Sequence, residues 1–243
     1  VKSEEEEEGE VISATPFRGD GGFSMEEVDP AVDDDGEPEV LYANKRALCQ
    51  ELLIQGYVTS YVDFFYLTHR PEEDVDTTSP MIPPEALPFV QQQLMAAEKA
   101  HRLGSAWAQE FDSFHQLATY FKDENQDHKT AVYFYEKCLD IADSMEDVSR
   151  QREANHCLGI THKLTGDLAV SIQFLERTRE LSAIDGDEET ESEASARLVE
   201  VYQAYATERE SEGDDATAVE FFAKALDCAR ISGDEGAEGL ALC

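Results

Sequence analysis

Few residues in this chain are of a type and spacing that could do chemistry. His156, Cys157 and His162 come nearest, two imidazoles and a thiol close together. On a helix, positions 156 and 162 point to different faces, whereas zinc ligands sit at i, i+4 or cluster in loops. His101, His115 and His128 have no serine or cysteine at a spacing that would pair a nucleophile with a base. GDGG at 19–22 lacks the lysine with which a phosphate loop grips its ligand; neither G-x-x-x-x-G-K-[ST] nor H-E-x-x-H occurs. DPAVDDDGEPE suggests a calcium loop. With Gly36 as its sixth residue, however, the first and twelfth are Ala31 and Tyr42, where acids are required. Carboxylates are so frequent that no pair stands out, and nearly all are expected on solvated helix faces. No catalytic residue, cofactor or metal ligand is expected, and the chain reads as a non-enzyme.

The charge balance narrows the partners. The chain has 54 acidic and 19 basic residues among 243, a net −35. Residues 1–39 carry 15 acids against Lys2 and Arg18, and the remainder carries 39 against 17, so both parts are acidic. Nucleic acid is disfavoured, because phosphate contacts need lysine and arginine. An anionic membrane would repel the chain, and basic protein surfaces would attract it. No stretch is apolar for about 18 residues on end, so no membrane-spanning helix is expected. VKSEEEEEGE is the opposite of a basic leader, and the protein is not expected to be secreted. Cysteines 49, 138, 157, 228 and 243 include no C-x-x-C pair and read as reduced thiols of a cytosolic protein. The missing initiator methionine and the end at GAEGLALC suggest a piece of a longer chain.

The elements that position these residues emerge from LGITHKLTGDLAVSIQFLE, at 158–176. Apolar Leu158, Ile160 and Leu164 stop at Thr165; Leu168, Val170, Ile172 and Leu175 follow Gly166-Asp167. A mid-helix glycine costs about 1 kcal/mol relative to alanine. Glycine also tolerates a left-handed helix end, and aspartate caps the helix that follows. Two helices joined by a turn is the better reading, and such a hairpin needs neighbours to bury its inner faces.

Along the chain, residues 1–39 read as an acidic tail, disordered or ordered by a partner. Residues 40–70 read as a helical pair broken at Gly56. Leu48, Leu52 and Leu53 form one apolar face, and Tyr57, Tyr61, Phe64 and Phe65 the next. The aromatic run Tyr57–Tyr66 is expected in the core. A Pro-rich linker fills 71–88, and a long helix fills 89–103, up to Gly104. Hairpins are expected at about 105–145, 148–184 and 190–232, the first broken at KDENQDHK, and another repeat begins near 235. Ala131, Ser171 and Ala218 open the packing faces of the second helices. Tyr135, Leu175 and Phe222 follow four residues on, then Cys138, Thr178 and Ala225. The intervals are 40 and 47 residues.

This pattern resembles the tetratricopeptide repeat, a helical hairpin of about 34 residues with set small and aromatic positions. Leu158, Gly159, Gly166 and Ser171 fall at its spacing in the second hairpin. Tyr202, Tyr205, Ala206, Gly213, Ala218, Phe222 and Ala225 do so in the third. The longer intervals predict longer helices and enlarged loops, DGDEETESE at 185–193 among them. The expected fold is all-α, an α-solenoid of such hairpins. Two stretches, NKRALCQELLIQGYVTSYVDFFYLTHR and QLATYFKDENQDHKTAVYFYEKCLDIA, are similar to the tetratricopeptide repeat protein 29 family. The carriers are Gly56-Tyr57, Tyr120-Phe121 and Phe134-Tyr135-Glu136-Lys137-Cys138, within a likeness over roughly 44–243. That resemblance implies a protein of the ciliary or flagellar axoneme, tied to dynein-driven motility and acting as a scaffold without catalysis.

Stacked hairpins line their concave face with first-helix residues. The register places there Asp112, His115, Thr119 and Lys122, then Glu153, His156, Ile160 and Lys163, then Glu200, Gln203, Thr207 and Glu210. Chaperone-binding repeats clamp a carboxylate with basic and amide side chains. Here those positions hold His115, Thr119, Cys157, Glu200 and Ala204, so the clamp is absent. The expected partners are axonemal proteins, a dynein subunit or doublet microtubule-associated proteins. The alternative is a soluble adaptor that binds a linear peptide for ciliary transport or dynein assembly.

Overall fold

The computed structural model describes residues 38–69 and 81–232. The readings of residues 1–37 as an acidic tail, of most of the Pro-rich linker, and of a repeat begun near 235 lie outside the described residues. Every regular element among the described residues is a helix. They are α1 (Pro38–Ile54), α2 (Val58–Thr68), α3 (Leu87–Leu103), α4 (Trp107–Thr119), α5 (His128–Ser144), α6 (Val148–Thr165), α7 (Leu168–Asp185), α8 (Glu188–Ser211) and α9 (Asp215–Ser232). A π-helical turn, Tyr120–Glu124, extends α4.

Five junctions share one construction. Gln126, Glu146, Gly166, Gly186 and Gly213 all have left-handed backbones, with φ of 58°, 53°, 89°, 72° and 82°. Each is followed at once by an aspartate: Asp127, Asp147, Asp167, Asp187 or Asp214. The N–H groups of the last four bond back five residues, to the carbonyls of Ala142, His162, Ser182 and Arg209, at 2.9–3.0 Å. Those bonds close the outgoing helix in the glycine-type C-terminal motif. The aspartate then opens the next helix. Asp127, Asp147, Asp187 and Asp214 accept from the N–H groups of Thr130, Arg150, Thr190 and Thr217 at 3.0–3.2 Å. Asp167 instead accepts the Thr165 hydroxyl at 2.9 Å. Such short reversals force consecutive helices to run antiparallel.

This construction overturns two sequence expectations. DGDEETESE is not an enlarged loop: Asp187 caps α8, and Glu188, Glu189 and Glu191 lie in its first turn. Acids there are favoured by the positive end of the helix dipole. The extra length of the third repeat therefore goes into a helix of 24 residues. In the first hairpin, Lys122–Glu124 of KDENQDHK stay helical in the π turn, and the chain breaks only at 125–127.

The small and aromatic positions carry the packing. Ala131, Ser171, Ala218, Cys138, Thr178 and Ala225 are buried, as are Tyr135 and Leu175, while Phe222 is half-buried. One core runs through α1–α6 around Phe64, Leu94, Phe111, Phe121, Phe134 and Leu158. A second joins α7–α9 around Leu175, Leu198, Tyr202 and Cys228. The closest approach is at Gly159, where the Ser171 hydroxyl donates to the Gly159 carbonyl at 2.7 Å. A β-carbon at 159 would lie 2.6 Å from Leu175 Cγ.

The N-terminal helices attach through polar bonds, one buried and one partly buried. The Ser60 hydroxyl donates to the Leu94 carbonyl at 2.9 Å, and Gln91 donates to the Leu48 carbonyl at 3.2 Å. The apolar faces read for α1 and α2 need correction. Leu52 and Phe64 are fully buried, but Leu53 and Phe65 are exposed. Neighbouring helix positions are about 100° apart, so both members of such a pair cannot face one core. The aromatic run likewise divides between core and surface: Tyr66 is also exposed.

Gly159→Ala is expected to destabilise the fold by about 1–3 kcal/mol, through overpacking against Leu175. Asp127→Ala is expected to cost about 1 kcal/mol through loss of the α5 cap. Urea unfolding followed by helical circular dichroism measures both, and an unchanged midpoint for Gly159→Ala would mean that α6 and α7 do not meet there.

Candidate functional site

The first helices of the three hairpins, α4, α6 and α8, lie side by side and are joined by polar side chains. Arg150 of α6 donates to the Asp112 carboxylate of α4 at 2.7 Å, and its guanidinium lies over the rings of Phe111 at 4.5 Å and Trp107 at 5.5 Å. An arginine that is paired and stacked at once holds two helices in register. His115 of α4 approaches Glu153 of α6 at 3.4 Å, and one step along His156 of α6 approaches Glu193 of α8 at 4.0 Å. Lys163 of α6 pairs with Glu200 of α8 at 2.5 Å. Arg152 reaches the α7–α8 junction, with Asp187 at 3.0 Å and Asp185 at 3.2 Å. A depression of about 280 Å³ lies in this face, lined by Arg152, Glu153, His156, Cys157, Thr190 and Glu193 among others.

The twelve residues placed on this face by register divide into three groups. Asp112, His115, Glu153, His156, Lys163 and Glu200 form the bridges just described. Thr119 is half-buried with its hydroxyl 3.2 Å from that of Tyr135, and Lys122 lies in the π turn 3.4 Å from Asp123. Ile160 and Gln203 are half-buried, and Thr207 and Glu210 are exposed on the last turns of α8. Arg150 and Arg152, which the register omits, also bridge helices on this face. Their signal was the placement of two arginines in the first turns after Asp147.

One grouping was invisible in the sequence. The Cys157 sulfur lies 3.7 Å from His115 Nε2, which in turn faces Glu153. A thiol, an imidazole and a carboxylate in that order are the parts of a nucleophilic triad. The electrostatics oppose such use. Burial pushes the Cys157 thiol up to about 11, against the pull of Lys122. Burial also holds the His115 imidazole below its ordinary value, against the pull of Glu153. Thiol and imidazole are therefore both neutral near pH 7, and the nucleophilic thiolate is scarce. His162 does not join His156 and Cys157: its ring stacks on Phe174 at 5.5 Å. No group of three or more His, Cys, Asp or Glu able to hold a metal ion occurs among the described residues, and no described helix is long and apolar enough to cross a membrane.

No protein-family model matches the chain. Over 164 residues it is 30% identical to tetratricopeptide repeat protein 29 of Trypanosoma brucei brucei (strain 927/4 GUTat10.1), covering 66% of this chain and 34% of that protein. Over 158 residues it is 29% identical to tetratricopeptide repeat protein 29 of Rattus norvegicus, covering 57% and 31% respectively. The chain is related to tetratricopeptide repeat protein 29. It spans about a third of the length of these curated relatives. The likeness agrees with the all-helical hairpin architecture.

The burial of His115 and His156, which outweighs the pull of Glu153 and Glu193, makes stability depend on pH. Burial holds His115 and His156 below the ordinary histidine value. Below about pH 6.5 the unfolded chain takes up protons that the folded chain resists, so stability falls as pH drops through that window. Replacing both by glutamine is expected to reduce the loss of urea midpoint between about pH 7.5 and 5.5; a double variant with the same loss as the parent would contradict the burial of these rings.

Proposed function

We propose that the chain is a non-catalytic scaffold of the ciliary or flagellar axoneme that docks onto dynein or doublet-associated proteins. The observation that carries this reading is the likeness to tetratricopeptide repeat protein 29 of two organisms. Stacked hairpins offer a broad wall of side chains rather than an enclosed cleft. The depression on the first-helix face is shallow beside that wall, and its thiol is held neutral. Docking would come from many side chains, with buried apolar anchors contributing more than charge. The charge of −35 would speed encounter with basic surfaces and weaken it with salt.

The expected result is that the full-length protein stays with detergent-washed axonemes and leaves them on salt extraction together with dynein. Quantitative mass spectrometry of the soluble, detergent and salt fractions reads this directly. Recovery in the soluble fraction, independent of dynein, would replace the scaffold by a transport or assembly adaptor.

A further inference from the structure

Away from the stacked hairpins, α1 and α2 form a cleft of different character. Helix α2 turns Ser60, Phe64 and Thr68 inward. Its opposite stripe is Val58, Val62, Phe65 and Tyr66, and all four are exposed. Ile54, at the end of α1, is 85% exposed, Tyr66 64%, Val58 58% and Leu53 48%. Single exposed apolar residues are ordinary, but a contiguous group of them marks an interaction surface.

The cleft beside this stripe has a volume of about 450 Å³, within the range of roughly 300–1,000 Å³ over which protein clefts hold ligands. Its walls are Arg46, Cys49, Gln50 and Leu53 from α1, and Tyr61, Phe65 and His69 from α2 and its end. The wall residues recur at three- and four-residue intervals on both helices, so they line one channel between two parallel ridges. The His69 ring stacks on Phe65 with centroids 4.3 Å apart, which fixes one rim.

The charge of this cleft is opposite to that of the chain. Among the described residues no carboxylate lines it, in a protein with 54 acidic residues. Arg46 is the one arginine among the described residues that is not engaged within the protein. Among the described residues only Arg46, Lys99 and Lys129 make no ion pair, hydrogen bond or ring contact; the other lysines and arginines are engaged within the protein. A free guanidinium in the wall of a partly apolar cleft favours a carboxylate on whatever enters. A second copy of this chain fits badly, since it would bring another net −35 and set Arg46 against Arg46.

We propose that the α1–α2 cleft is the docking site for an amphipathic helix of a partner protein, apolar along one stripe and flanked by an aspartate or glutamate that meets Arg46. Its apolar residues would enter at i, i+4 and i+7, the spacing by which helices seat in grooves. This site is separate from the first-helix face and does not rest on the axonemal reading. It adds a partner that the chain's overall charge would reject.

The probe is a displayed library of helical peptides, randomised along one stripe and at the flanking positions, selected on the full chain at near-physiological salt. The variants are Arg46→Glu and Phe65→Glu, both at exposed positions, each checked for unchanged helical content and melting temperature. Enriched peptides are expected to carry apolar residues at i, i+4 and i+7 with acidic flanks, and to bind the parent at least about tenfold more tightly than either variant. Four outcomes with peptides or with the chain itself would overturn the proposal, and a fifth with lipid. They are no enrichment over the Phe65→Glu variant, or enrichment of basic flanks indifferent to Arg46→Glu. They are also self-association of the parent abolished by Phe65→Glu, or peptide binding that appears only after residues 71–79 are deleted. Binding to phosphatidylserine vesicles lost in the same variants, without peptide binding, would assign the face to a lipid surface and would equally refute it.

Discussion

The tight reversal between consecutive helices is the constraint on which the rest of the structure depends. A left-handed residue ends one helix and the aspartate beside it opens the next, five times over, at positions 126–127, 146–147, 166–167, 186–187 and 213–214. With so little chain in between, each apolar stripe packs first against the helices before and after it. Ala131, Ser171 and Ala218 then lie where the second helix crosses the first, and a larger side chain there would hold the pair apart. Two of the five reversals use glutamine and glutamate in place of glycine. Left-handed backbone costs such residues more than glycine, so the packing on either side of Gln126 and Glu146 must hold them there.

The register of the first helices follows from the same constraint. Once each hairpin is closed, α4, α6 and α8 come side by side, and the scarce bases are used to bind them together. Arg150 grips α4 through Asp112 and two aromatic rings, while Lys163 and Arg152 reach forward to α8 and its cap. Exposed pairs contribute little individually. Their value here is in orienting neighbouring helices and in keeping like charges on adjacent helices from facing each other. The net negative surface that remains would attract basic protein surfaces.

Much of the fold was legible because it rests on local chemistry. Gly166-Asp167 announced a reversal, and the small residues at 131, 171 and 218 announced the crossing points. Two features misled. The acids of 185–193 looked like loop because they are polar and unbroken, yet acids at a helix start are favourable and the eye needs Asp187 as a cap to see it. Leu53 and Phe65 looked like core because their neighbours Leu52 and Phe64 are core, and apolar content alone cannot say which of two adjacent positions faces inward. The site was less legible than the fold. The approach of Cys157 to His115 and of Arg150 to Trp107 joins residues some forty apart in sequence, and only the stacking of one hairpin on the next brings them together.

The central claim is that stacked hairpins present a wall that an axonemal partner occupies. Zero-length carbodiimide cross-linking of intact axonemes tests it most directly, because it joins carboxylates, which this chain has in excess, to lysines on whatever touches them. The account predicts that links from the α4, α6 and α8 carboxylates converge on lysines of one or a few axonemal proteins. Links confined to the chain itself, or scattered without preference over unrelated soluble proteins, would contradict it.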